Sequence, residues 1–146
     1  MIATKQTKIL IIGFGSIGKR HYRNLVALGC QNVSVFDPED RAFAGVAEVA
    51  RVKDLTPSIL GNFQAVFICV PTHLHVKYAL MAAEAGCHLF VEKPLSHDLA
   101  GVDELIKICE QKKLINFVAC NFRFSRGFLE LEETVNTRKC WEAVNS

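Results

Sequence analysis

Apolar residues recur along this chain in two alternating rhythms. Lys8–Gly13 is a compact apolar run that enters a glycine turn. From Ser16 to Leu28 the spacing becomes helical, with Ile17, His21, Leu25 and Leu28 on one face and Gly29 as the stop. Val33–Asp37 reads as a strand, and Pro38 opens a helix that runs to about Ala50. Arg51–Lys53 reads as a short edge strand, after which Thr56 caps and Pro57 begins one or two helical turns. Ala65–Val70 is a buried strand ended by Pro71, and His73–Ala85 a helix closed by Gly86. The pattern continues with a strand His88–Glu92, a helix Asp98–Lys113, a strand Ile115–Asn121 and a helix Gly127–Arg138. Trp141–Ser146 has the pattern of the start of one more strand.

Strands without in/out alternation, joined by helices through short connectors, imply a parallel sheet covered on both faces. The fold class is therefore α/β, a doubly wound parallel sheet. The 146 residues suit one domain, and 50% hydrophobic against 22% charged residues exclude wholesale disorder. A net charge of +2 gives no reason to expect a nucleic-acid or membrane-surface partner. The apolar runs are of strand length, and the N-terminal residues form no signal-peptide core. The six cysteines include no CxxC pair, and the nearest two are Cys109 and Cys120. With no secretion signal they read as thiols in a reducing cytoplasm.

Gly13-Phe14-Gly15-Ser16-Ile17-Gly18 is a GxGxxG. Its context carries the weight, because it follows a strand and opens a helix in the first βαβ unit. Gly13 permits the turn, Gly15 leaves room for a pyrophosphate, and Gly18 lets the helix approach the strand. The N–H groups of the first helical turn then face the phosphates. Asp37 ends the second strand about 20 residues beyond Gly18, where a carboxylate can accept from both adenosine ribose hydroxyls. The same charge repels a 2′-phosphate, so NAD is expected over NADP, with Arg41 as the opposing influence. A glycine turn that merely packs accounts for the glycines but not for the spaced acid. A P-loop also matches Gly13…Gly18-Lys19, but Arg20 stands where Ser or Thr is needed.

Two further strand ends fall on the same rim of the sheet, where open α/β proteins bind ligands. Pro71-Thr72-His73-Leu74-His75 follows the fourth strand, and Glu92-Lys93-Pro94 the fifth. Partial burial of Lys93 there would suit it to proton handling. His73 and His75 point about 200° apart on a helix, so no metal site is expected. His21 reads as a packed or capping histidine. Lys19, Arg20 and Arg23 read as a solvated face beside the turn.

The glycine turn, Pro71-Thr72-His73-Leu74-His75, the Ala79…His88 segment, Glu92-Lys93-Pro94-Leu95 and Asn121-Phe122-Arg123-Phe124 occur in an order that resembles the N-terminal domain of the Gfo/Idh/MocA oxidoreductases. The resemblance covers essentially the whole chain. It implies a Rossmann sheet of strand order 3-2-1-4-5-6 and hydride transfer between a nicotinamide cofactor and a sugar, polyol or related carbonyl compound. It also implies that Lys93 helps deprotonate the reacting hydroxyl, and that Glu92, Pro71, Thr72 and His75 lie beside the cofactor. Residues 1–123 would form the dinucleotide-binding domain, and 124–146 a crossover helix and the start of a second domain. On that reading these residues alone are inactive, because the family's catalytic Asp and His lie further on. Two rival readings are a non-catalytic dinucleotide-binding module or regulator, and an interaction protein that self-associates through the end near Trp141.

Overall fold

The computed structural model describes residues 6–46, 48–120, 125–127 and 130. The strands are β1 (Lys8–Ile12), β2 (Asn32–Phe36), β3 (Ala50–Arg51), β4 (Ala65–Ile68), β5 (His88–Val91) and β6 (Asn116–Val118). They form one six-stranded sheet in the order β3-β2-β1-β4-β5-β6, and the paired strands are parallel. The helices are α1 (Ser16–Ala27), α2 (Pro57–Leu60), α3 (His75–Glu84) and α4 (Val102–Gln111).

The sheet register explains why the strands read as unbroken apolar runs. β1 lies at the centre, and Ile9, Leu10, Ile11 and Ile12 are all buried. Leu10 stands beside Val66 and that beside Leu89, while Ile12, Ile68 and Val91 form the next row. Those two rows share one core with Leu60, Ala79, Ala82 and Leu105 from α2, α3 and α4. The opposite faces of the same strands, Ile9, Ile11, Val33 and Val35, pack with Leu25 of α1 and with Phe14 and Phe43. The central strands β1 and β4 thus feed both layers, as a doubly wound sheet requires.

Several boundaries differ from the sequence expectation. The helix expected from Pro38 is a single 3-10 turn, Asp40–Phe43. The Asp37 carboxylate accepts the Glu39 N–H at 2.9 Å, which folds the chain into a local turn, and Gly45 then takes a left-handed φ of +73°. α4 starts at Val102 rather than Asp98, because Asp98 instead accepts the Ala100 N–H at 2.9 Å. α3 starts at His75, preceded by a 3-10 turn at Thr72–Leu74. Leu28 was placed on the apolar face of α1, yet it is the C-cap residue and 79% exposed. Thr56 and Pro57 behave as expected, the Thr56 hydroxyl accepting the Ile59 N–H at 3.2 Å. The helix expected over Gly127–Arg138 lies largely outside the described residues, as do the strand start at Trp141–Ser146 and most of the 124–146 segment.

The tightest contact in the fold is where α1 meets the turn that precedes it. A Cβ on Gly18 would lie 2.0 Å from the Gly13 carbonyl oxygen, whereas one on Gly15 would meet nothing within 4 Å. Alanine normally stabilises a helix over glycine by about 1 kcal/mol. Here backbone overlap reverses the sign. We expect Gly18→Ala to cost about 2 kcal/mol or more and Gly15→Ala to stay within about 0.5 kcal/mol. Urea unfolding followed by circular dichroism checks both; equal midpoints would mean that α1 does not press on the turn.

Candidate functional site

The sheet order reverses between β1 and β4, and open α/β sheets bind ligands at the carboxyl ends of the strands beside such a reversal. The glycine turn leaves β1 at this point. The Gly13 N–H donates to the Phe36 carbonyl at 2.8 Å, and a Cβ on Gly13 would lie 2.7 Å from the Cys69 carbonyl oxygen. Gly15 is the N-cap of α1 and has no side chain to cap it. Within the helix the first bond back is Lys19 N–H to the Gly15 carbonyl, at 2.9 Å. The N–H groups of Ser16, Ile17 and Gly18 therefore have no acceptor within the helix. Such N–H groups, next to open space at Gly15, are the local requirement for a phosphate.

Phe14 serves the turn from inside. Its ring is fully buried, 5.3 Å from Phe43 and 5.8 Å from Tyr22 between centroids. Its N–H donates to Asp37 Oδ2 at 2.6 Å. Asp37 thus fixes the glycine turn with one oxygen and its own loop with the other. Each carboxylate oxygen has a second lone pair with which to accept a hydroxyl. Arg41, the expected opposing influence, lies 3.0 Å from Glu39, and both side chains are exposed.

At the ends of β4 and β5 the structure brings together residues far apart in sequence. Glu92 is only 8% exposed, and His21 Nε2 lies 2.6 Å from its Oε1. The His21 ring sits against Phe67 and Phe90, with centroids 5.6 and 5.1 Å away. Composition and spacing gave His21 only a packing role. The signal that could have found the pair is chemical: an acid that ends a buried strand needs a partner, and His21 follows Gly18 on the helix face that turns to the sheet.

His75 is 2% exposed. Its Nδ1 lies 2.8 Å from the Pro94 carbonyl and its Nε2 2.8 Å from the Val70 carbonyl. Carbonyl oxygens only accept, so a neutral ring satisfies one of them and a protonated ring both. His73, two residues earlier, is exposed, so the two rings do diverge. Pro71 is exposed and Thr72 half-buried on the same loop. Lys93 is exposed, so the partial burial expected of it is not found. Its peptide bond to Pro94 is cis. Among the described residues there is no group of three His, Cys, Asp or Glu side chains placed to hold a metal, and no helix long and apolar enough to cross a membrane.

A sequence profile described as "Oxidoreductase family, NAD-binding Rossmann fold" (Gfo/Idh/MocA) matches residues 7–120. The chain belongs to the Gfo/Idh/MocA oxidoreductase family. It is 34% identical over 134 residues to a myo-inositol 2-dehydrogenase of Thermotoga maritima, covering 88% of this chain and 40% of that protein. It is 32% identical over 139 residues to an inositol 2-dehydrogenase of Cereibacter sphaeroides, covering 90% of this chain and 41% of the relative. Among solved structures, a probable dehydrogenase from Thermotoga maritima aligns with a TM-score of 0.75 at 30% identity, over 89% of this chain and 41% of that one. The WlbA dehydrogenase from Bordetella pertussis, solved with NADH and UDP-GlcNAcA, shares the fold with a TM-score of 0.79 at 21% identity, over 94% of this chain and 43% of its own. The chain thus spans about two fifths of the length of the relatives it matches.

Cys69 follows β4 beside the buried Glu92. Burial and the Glu92 carboxylate push its thiol up to about 12, against a smaller opposing pull from Arg20. A raised thiol pKa leaves little thiolate at pH 8, and the thiolate is the nucleophile. We expect iodoacetamide at pH 8 to modify the exposed Cys120 well before Cys69 in the folded chain. Peptide mass spectrometry over time checks this; early labelling of Cys69 would mean that the strand end is open.

Proposed function

We propose that this chain is the cofactor-binding part of an oxidoreductase that transfers hydride between a nicotinamide dinucleotide and a sugar, polyol or related carbonyl compound. The observation that carries the cofactor assignment is the open space at Gly15 before an uncapped helix start, with Asp37 held at the neighbouring strand end. The Ser16, Ile17 and Gly18 N–H groups would hold the pyrophosphate, and the positive end of the α1 dipole would favour its charge. Gly13 and Phe14 shape that turn. Asp37 would accept the adenosine ribose hydroxyls.

A bound dinucleotide would supply the hydride acceptor or donor. The chain's own residues supply the rest. Pro71, Thr72, His75 and Glu92 surround the strand ends on the nicotinamide side. Lys93, exposed on that rim, would take the hydroxyl proton of an alcohol substrate or return it to a carbonyl. The inositol dehydrogenases among the relatives make a polyol the first substrate class to test. The reading as a non-catalytic dinucleotide-binding module shares the same cofactor site. It differs only in what Lys93 does, which turnover by the protein that carries these residues would decide.

NAD is proposed as the preferred dinucleotide. Asp37 is fixed where a 2′-phosphate would meet its charge, and the Arg41 guanidinium is shared with Glu39. A preference of about 1–3 kcal/mol follows from one charge contact and the ribose hydrogen bonds. Calorimetric titration with NADH and NADPH checks it, and equal or tighter NADPH binding would remove Asp37 from its assigned role. Gly15→Val should leave unfolding unchanged and weaken NADH binding by at least about 10-fold, because the branched side chain fills space that is open in the fold. Unchanged affinity in a natively folded Gly15→Val chain would show that the turn is not the phosphate site.

A further inference from the structure

Lys93 presents a difficulty for any reading that gives it a chemical role. Its side chain is exposed, so packing does not aim it. Its direction has to come from the backbone of the Glu92-Lys93-Pro94 turn. The residues on either side of it are each held by a histidine from a different helix. His21 of α1 bonds the Glu92 carboxylate at 2.6 Å. His75 of α3 places Nδ1 2.8 Å from the Pro94 carbonyl and Nε2 2.8 Å from the Val70 carbonyl, so the ring can donate to either.

We propose that His21 and His75 are positioning residues that together clamp the Glu92-Lys93-Pro94 turn and so set where the Lys93 amine points. The inference rests on the reading of Lys93 as the proton-handling group, and it adds two residues that act on the reaction only through it. It also gives His75 a role different from direct cofactor contact, since both ring nitrogens are engaged by backbone carbonyls and the ring is buried. His75 stands between the loop after β4 and the loop after β5, within hydrogen-bond distance of a carbonyl on each. The His21 bridge ties α1, whose other end carries the phosphate turn, to the residue before Lys93. One helix thereby fixes the phosphate site and the lysine turn with respect to each other.

The geometry explains why histidine suits both places. At position 75 the side chain must offer nitrogens in two directions to two acceptors inside the protein, which no aliphatic or hydroxyl residue does. A leucine there would offer a donor to neither carbonyl. At position 21 the ring must reach the Glu92 carboxylate while sitting tilted against Phe67 and edge-on to Phe90. A leucine there would leave Glu92 buried without this partner.

The test uses the 146-residue chain labelled with 15N-lysine, the Lys93 amide being assigned with Lys93→Arg. The heteronuclear NOE of that amide reads the order of the turn, with Lys107 in α4 and the loop residue Lys53 as internal references. In the unsubstituted chain the Lys93 value should match Lys107. In His75→Leu, and independently in His21→Leu, it should fall to that of Lys53 while Lys107 stays unchanged. His75→Gln and His21→Gln, which keep an amide donor, should restore part of the loss. NADH affinity should change by less than about 3-fold in His21→Gln. A folded His75→Leu or His21→Leu chain with an unchanged Lys93 value overturns the proposal, as does an equal fall at every lysine. Should a leucine variant fail to fold, its glutamine counterpart decides, and a Lys93 value identical to the unsubstituted chain then counts against the clamp. Loss of NADH binding in His75→Gln with an unaltered Lys93 value would make His75 a cofactor ligand instead. Failure of the unsubstituted chain to bind NADH would sink the functional reading but leave the NOE result to judge the clamp by itself.

Discussion

The candidate site hangs from one row of backbone hydrogen bonds. Phe36, Ile12, Ile68, Val91 and Val118 stand side by side in the register of β2, β1, β4, β5 and β6. The next residue on each strand continues the ladder: Gly13 N–H to Phe36, Cys69 N–H to Ile12, Glu92 N–H to Ile68 and Ala119 N–H to Val91, all between 2.8 and 3.0 Å. That rung therefore reads Asp37, Gly13, Cys69, Glu92 and Ala119 across the sheet. A slip of one residue in any strand would turn its core residues to the wrong layer. The apolar rows behind the rung thus also decide that the glycine turn, Asp37 and the Glu92-Lys93-Pro94 turn emerge at one level.

The central strands were legible from sequence because burial on both faces leaves continuous apolar runs. Their order 3-2-1-4-5-6 came only with the family resemblance, since burial patterns do not say which strands pair. The features that were not legible lie where side chains compete with the backbone locally. Asp37 was expected to face only a ligand, but it also holds the Phe14 and Glu39 N–H groups, and this prevents Pro38 from opening a helix. Asp98 does the same at the start of α4. Helical periodicity cannot report such turns, since it registers which positions are apolar and not which carboxylate finds a nearby N–H.

The site residues divide along the same line. The glycines and Asp37 could be read because their roles follow from local geometry at a fixed spacing. The pairing of His21 with Glu92 spans most of the domain, and neither residue's own neighbourhood in sequence encodes it. His75 was singled out by its position after Pro71. Its position between the Val70 and Pro94 carbonyls depends on two loops that meet only in the folded sheet. Lys93 was expected to be shielded, and its exposure shifts the burden of control from the lysine's own environment to the residues on either side of it.

Burying Glu92 at a strand end is costly, because an unpaired carboxylate in a low-dielectric setting is strongly disfavoured. A structural role alone could be met by an apolar residue of similar size, which would pack against Phe67 and Phe90 without needing His21. The pair therefore makes more sense as a means of fixing position than as a source of stability. A carboxylate and an imidazole at 2.6 Å specify direction as well as distance, which an apolar contact does not. The negative charge also has a local consequence, since it helps to hold the adjacent Cys69 as an inert thiol. The strand end thus presents the exposed Lys93 beside a buried acid held by His21. On the proposed reading, Lys93 is then the group on this turn that would meet a ligand on the rim.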